Sequence, residues 1–153
     1  MRKLFTLFLL LAPLAIACNN HRNSSKVISV LEYKKMFALA GCYSSVTGKD
    51  TFNLKLVVSS DTVNGKLSYK FDQKDNLKGD IQGRLQGDTL LADYKFMSEG
   101  KISIRQVTFL MKDSTAMEGY GAMVDKNGEM VFKNLNQLSF GKGLILKKIN
   151  CMQ

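Results

Sequence analysis

The sequence predicts an all-β chain: a single antiparallel, up-and-down β-barrel of about eight strands, set behind a short N-terminal leader and tether. Three observations carry this. From Asp50 onward, apolar and polar residues alternate with the period of a half-buried strand. Short clusters of turn-forming residues, Ser59 to Thr62, Asp72 to Asn76, Lys112 to Thr115 and Asp125 to Gly128, separate the alternating runs. The stretch between Cys42 and Cys151 also matches the roughly 100 residues that eight strands and their turns require. The only proline, Pro13, lies in the leader, so the body has none to protect a sheet edge. Closure is then the better defence of the edges than an open sandwich.

The leader, residues 1–17, reads MRKLFTLFLLLAPLAIA: two cations, Arg2 and Lys3, then an uncharged apolar run ending in small residues. That is the layout of a secretory signal, and the run falls short of the about 20 apolar residues that a membrane span needs. Ala15-Ile16-Ala17-Cys18 resembles the lipobox of bacterial lipoproteins, which implies cleavage before Cys18 and diacylation of its sulfur. Ordinary cleavage after Ala17 is the competing reading, because Ala15 to Ala17 also fit A-x-A. A second lipobox-like tetrapeptide, Leu39-Ala40-Gly41-Cys42, has Lys34 and Lys35 where an apolar region should precede it, so Cys42 is not the processing site. With Cys18 acylated, Cys42 and Cys151 are the remaining pair of the three cysteines. In an exported chain such a pair is expected to form a disulfide.

Residues 18–40 follow as lipidated cysteine, tether and short helix. Asn19 to Lys26, NNHRNSSK, reads as a flexible linker. In VISVLEYKKMFALAG, periodicity does not choose between helix and strand; a short helix packed against the end of the barrel is the expectation.

The barrel domain spans residues 41–153. In TFNLKLVVSS, Phe52, Leu54, Leu56 and Val58 share one face; in GKLSYKF, Leu67, Tyr69 and Phe71 do. In LLADYKF the apolar row is Leu90, Ala92, Tyr94 and Phe96, and in KISI it is Ile102 and Ile104. KGDIQGRLQGD places Gly79, Ile81, Gly83, Leu85 and Gly87 on one face, alternately small and large, as suits a tightly coiled wall. The opposite rows hold Lys55, Lys66, Lys70, Asp80, Gln82, Arg84, Asp93 and Lys95. A barrel embedded in a membrane would turn an apolar band outward instead, so this one is water-soluble. Cys42 opens its first strand and Cys151 closes its last, and their bond would staple the seam.

Charge and composition narrow the chemistry. The formal net charge is +9, of which the leader contributes only Arg2 and Lys3. For an exported chain a basic surface points away from nucleic acid and toward phospholipid head groups, an anionic ligand or an acidic protein partner. The only histidine, His21, lies in the tether, which removes Ser-His, Cys-His and His-based zinc constellations from the barrel. Asp72, Asp75 and Asp80 do not fit a calcium loop. Met111, Met117, Met123 and Met130 read as core filling rather than a cuprous ion site. No catalytic residue, metal or cofactor is expected, and the chain is read as a monomer and not an enzyme.

The most informative segment runs from Phe96 to Gly128. With a turn at Lys112 to Thr115, Arg105, Val107, Phe109 and Met111 share a face with Ala116, Glu118, Tyr120 and Ala122. The complementary face carries Ile104, Gln106, Thr108, Leu110, Met117, Gly119, Gly121 and Met123; both are semi-apolar, so either can point inward. If the first does, Arg105, Glu118 and Tyr120 are polar groups inside an apolar cup. There they would either orient a small ligand or form a satisfied buried ion pair.

The runs GDTLLADYKFMSEG, SIRQVTFLMK and MEGYG resemble a group of small envelope lipoproteins of Bacteroidetes-type bacteria, with a cysteine near each end of a lipocalin-like barrel. The resemblance covers nearly all of the chain after Gly41. It implies a lipid-anchored envelope protein and brings no activity with it. Acidic residues, a surface-export signal in such bacteria, are replaced after Cys18 by Asn19 and Asn20, which favours the outer membrane facing the periplasm. The functional expectation is a non-enzymatic binding module for a small amphipathic ligand or an envelope protein. The alternative is an inhibitor of lysozyme-type enzymes, on the faint likeness of SEGKISIR to the serine-glycine loop of such inhibitors. Basic charge on both partners disfavours it.

Overall fold

The computed structural model describes residues 30–151, so the signal peptide, Cys18 and its expected lipid, His21 and the tether lie outside the described residues. Helix α1 (Val30–Leu39) leads into β1 (Gly41–Thr47), β2 (Asp50–Ser59), β3 (Thr62–Lys70), β4 (Leu77–Gln86), β5 (Thr89–Ser98), β6 (Lys101–Lys112) and β7 (Thr115–Tyr120). A hairpin of β8 (Met123–Lys126) and β9 (Glu129–Phe132), then a single 3-10 turn at Leu135–Gln137, precede β10 (Ser139–Ile149). Strands β1 to β7 pair in sequence order, β7 pairs β10, and β10 returns to β1, each antiparallel. This is a closed, eight-stranded antiparallel barrel.

Alternation places the side chains as physics requires of a wall with one wet face. Leu54, Leu56, Val63, Leu67, Tyr69, Ile81, Leu90, Ala92, Tyr94, Val107, Phe109, Met111, Ala116 and Leu146 fill the interior, while Lys55, Lys66, Lys70, Asp80, Gln82, Arg84, Asp93 and Lys95 are exposed. Gly79 and Gly83 fall on the inner row of β4, with Ile81 buried between them. A Cβ on Gly83 would collide with the Leu91 carbonyl and Ala92, and one on Gly79 with the Lys95 carbonyl. These are the points where β4 and β5 approach too closely for any side chain. Gly87 lies instead in the β4–β5 turn, with φ 62°.

Two expectations need correction. The turn at Asp125 to Gly128 joins β8 to β9, which are not among the eight strands that close the ring: β9 lies parallel against β6 at Ile104 and Arg105, on the edge that β7 leaves beyond Phe109. The up-and-down order is therefore interrupted between β7 and β10. Second, Ile102 and Ile104 lie on the outer row of β6, opposite Met97 and Lys95, because the inner row is set by Arg105 pairing with the inward Tyr94. A four-residue run was too short to fix the phase of a twelve-residue strand.

The barrel has two unlike ends. The turns β2–β3, β4–β5 and β6–β7 lie at one, with α1 and the C-terminus. There Met36 inserts into the core, the Tyr43 hydroxyl donates to the Leu39 carbonyl at 2.9 Å, Lys148 Nζ donates to the Ala38 carbonyl at 2.7 Å, and Lys35 pairs with Asp88. The chain passes from α1 into β1 at Gly41, whose φ of 141° few other residues adopt. Cys42 and Cys151 are disulfide-bonded across the β1–β10 seam, with Cα atoms 5.2 Å apart. The opposite end, with the β1–β2, β3–β4 and β5–β6 connections, carries the candidate site.

Candidate functional site

At the end away from α1 the inner rows of β2, β3 and β5 finish in aromatic residues: Phe52, Tyr69 with Phe71, and Tyr94 with Phe96. Their rings contact one another at centroid distances from 4.7 Å for Tyr94–Phe96 to 6.5 Å for Tyr69–Phe71. The β3 and β5 rows each supply a pair at i and i+2 and β2 a single ring, so closure of the barrel assembles them into one cluster. Arg105, from β6, projects into it. Its guanidinium carbon lies 5.5 Å from the Tyr69 ring centroid, 5.7 Å from Tyr94 and 5.5 Å from Phe96. Three ring faces around a cation stabilise its charge without satisfying its N–H donors.

Glu118 enters from β7, opposite Phe109, and is buried. Its carboxylate accepts from two phenols: Tyr69 donates to Oε1 at 2.6 Å and Tyr120 to Oε2 at 2.8 Å. Tyr120 stands at the end of β7, where β10 bulges between Phe140 and Ile145, and its oxygen also accepts from the Leu144 N–H at 3.3 Å. The Tyr120 ring is half in solvent while its hydroxyl is the inward, bonded end. Burial and the Glu118 charge push the Tyr120 phenol up to about 12 and raise Tyr69 well above the ordinary tyrosine range. Burial pushes Tyr94 up to about 12 against the opposing pull of Arg105.

Strands β6 and β7 pair only from Phe109–Glu118 to Lys112–Thr115, and beyond that they part. The β8–β9 hairpin comes in beside β6, fixed by the Phe132 N–H donating to Gln106 Oε1 at 3.0 Å. The gap is a half-open cavity of about 120 Å³ lined by Arg105, Glu118, Tyr120, Met123 and Phe132 among others.

All three residues expected at a ligand site, Arg105, Glu118 and Tyr120, therefore line one cavity. They are not a buried ion pair: the ion pairs among the described residues are surface ones, and none joins Arg105 to Glu118. Glu118 is satisfied by phenols, whereas Arg105 Nε is buried with no hydrogen-bond partner among the described residues. An orphaned donor of this kind destabilises a fold by about 1–3 kcal/mol, or more when charged, unless something accepts from it.

Sequence reasoning placed Tyr69, Tyr94 and Phe96 on the inner wall but not around Arg105. The signal was present in the matching inner-row aromatics of two strands, and only the registers Tyr94–Arg105 and Phe109–Glu118 turn it into a cage. The serine-glycine segment of the lysozyme-inhibitor reading, Ser98 to Lys101, is a hairpin turn with just Glu99 and Gly100 between paired residues. Comparison with protein-family models, with curated proteins and with solved structures finds no match to the chain.

Proposed function

We propose that the protein is a lipid-anchored envelope protein, held to a membrane through Cys18, whose barrel is a non-enzymatic binding module for a small amphipathic ligand. The observation that carries this reading is the unpartnered Arg105 Nε beside an open cavity, in a barrel where the neighbouring Glu118 is fully provided with donors. Such a donor selects a ligand group that accepts hydrogen bonds, while Glu118 and Tyr120 set its orientation. The cavity, about 120 Å³, is smaller than the roughly 300–1,000 Å³ of pockets that enclose a whole drug-sized ligand. Only a polar head group enters. The apolar remainder lies along the Met123 and Phe132 side chains that line the same cavity.

Native mass spectrometry of protein purified from its own host's envelope tests this. A bound small molecule is expected on the wild type, reduced in Glu118→Gln and lost in Arg105→Ala and Arg105→Lys. The lysine variant keeps the charge but removes the guanidinium fork. Absence of any adduct on the wild type, or variants that retain it and change only thermal stability, would show Arg105 to be structural.

A further inference from the structure

Helix α1 closes the barrel with one side and leaves the other unpartnered. Met36 is buried and Leu39 packs on the core, but Val30 is 74% exposed, Leu31 78%, Tyr33 46% and Phe37 58%. Val30, Tyr33 and Phe37 stand at i, i+3 and i+7, one stripe of a helix, and the Tyr33 and Phe37 rings touch at 5.7 Å. A helix of this small protein thus turns four large apolar side chains to solvent around Lys34, at the end where the chain comes in from Cys18. Isolated exposed apolar residues are ordinary; a contiguous group on one element marks an interaction surface.

We infer that this outer face of α1 lies in the head-group layer of an anionic membrane, so that the α1 end of the barrel rests on the bilayer and the Arg105 end points away from it. Three features identify lipid as the occupant. The helix is 10 residues long, about 15 Å, and among the described residues no helix is long and apolar enough to cross a membrane; it can lie on a bilayer but not span one. Its pattern of aromatic and aliphatic residues with lysines is that of an interfacial helix, in which Lys34 reaches toward phosphate while its methylene stem stays with the apolar face. The same end of the molecule carries the exposed Lys112, Lys147 and Lys148 against the exposed Asp113, once the pairs Lys35–Asp88 and Arg84–Asp61 are set aside, so its charge complements anionic lipid.

The tether agrees in length. Cys18 precedes Val30 by 12 residues, a reach of at most about 40 Å, which holds the anchored end close to the surface without dictating which side of the barrel faces it. The inference rests on the Cys18 reading for the anchor alone; the apolar face of α1 supplies the orientation.

The chain contains no tryptophan, so one introduced indole reports one place. Phe37→Trp marks α1, and Val46→Trp, at an exposed position on the far end, marks the opposite pole. The whole protein, isolated from host membranes, is reconstituted into phosphatidylglycerol–phosphatidylcholine vesicles with brominated acyl chains. Flotation with the vesicles reports the anchor, and bromine quenching reports which end touches lipid. The expected result is quenching of Phe37→Trp severalfold above that of Val46→Trp, falling to the Val46→Trp level when Leu31→Asp is added, while the protein still floats. Equal quenching at both ends, or quenching at Phe37→Trp that survives Leu31→Asp, would overturn the inference. So would a blue shift of Phe37→Trp that grows with protein concentration in the absence of vesicles, which would assign the face to a second copy of the chain.

Discussion

Glu118 is a buried acid whose two oxygens are each met by a phenol, and the two bonds have different consequences. Tyr69 is wholly interior, so Tyr69→Phe leaves Oε1 without a donor in a place water does not freely reach. The expected loss is about 1.5–3 kcal/mol, the range for a hydrogen bond to a charged group, read as a lower urea midpoint with an unchanged slope. The phenols also fix the response to alkali. Tyr94 and Tyr120 are pushed up to about 12, and Tyr69 is raised further, from an ordinary value of 10.0. Below pH 10 both folded and unfolded chains keep these protons, and stability is unaffected by them. Between the unfolded and folded values the unfolded chain has lost protons that the folded one retains, so stability falls as pH rises. Melting temperature should be flat up to about pH 10 and then drop, with a shallower drop in Tyr120→Phe. A melting temperature unchanged through that rise would contradict the buried, Glu118-bonded placement of these hydroxyls.

At the scale of single elements, β4 and β5 approach so closely at Gly79 and Gly83 that a Cβ there would meet the β5 backbone. Gly83→Ala puts a methyl against the Leu91 carbonyl and Ala92, and rigid neighbouring backbone can relieve it only by spreading the strands. The expected cost is about 1–3 kcal/mol, as for overpacking elsewhere, measurable by chemical denaturation. This close approach was legible in the sequence, because glycine, isoleucine, glycine and leucine alternate on the inner row of KGDIQGRLQGD. So were β2, β3 and β5, whose apolar rows are long enough to fix their phase. Strand β6 was not: its inner row begins with Lys101, Ser103 and Arg105 and its outer row with Ile102 and Ile104, so local hydrophobicity points the wrong way. Its phase is imposed by pairing with β5, a tertiary constraint. The β8–β9 hairpin was legible as a hairpin, from Asp125 to Gly128, but its place on the β6 edge beyond β7 was not, since a hairpin's turn does not say what its strands pair with. The cage around Arg105 depends on three registers at once and on closure, none of which periodicity encodes.

For the molecule as a whole, the seam is where closure is most exposed. β1 and β10 are the two ends of the barrel domain, and their recorded pairing covers only Cys42 to Ser44 against Ile149 to Lys147. The Cys42–Cys151 bond, with a sequence separation of 109, restrains a long loop in the unfolded chain. Replacing both cysteines by serine should lower stability by about 2–5 kcal/mol, seen as a lower denaturation midpoint, and should loosen β1 and β10 before the other strands in hydrogen exchange. The barrel also holds two features apart: α1 and the disulfide occupy one pole, and the Arg105 cavity the other. A ligand can therefore be taken up without disturbing the pole proposed to rest on lipid.

The central claim is that Arg105 Nε awaits an acceptor from outside the chain. The side-chain Nε–H resonance of Arg105, assigned by its loss in Arg105→Lys, tests this directly when followed by NMR during addition of the small-molecule fraction extracted from host envelopes. The account predicts a resonance at the upfield position of a guanidinium N–H without an acceptor in the ligand-free protein, which shifts downfield as the fraction is added. A resonance already at a hydrogen-bonded, downfield position in the free protein, and unmoved by the extract, would mean that the protein itself satisfies Arg105 and that the cage is a structural one.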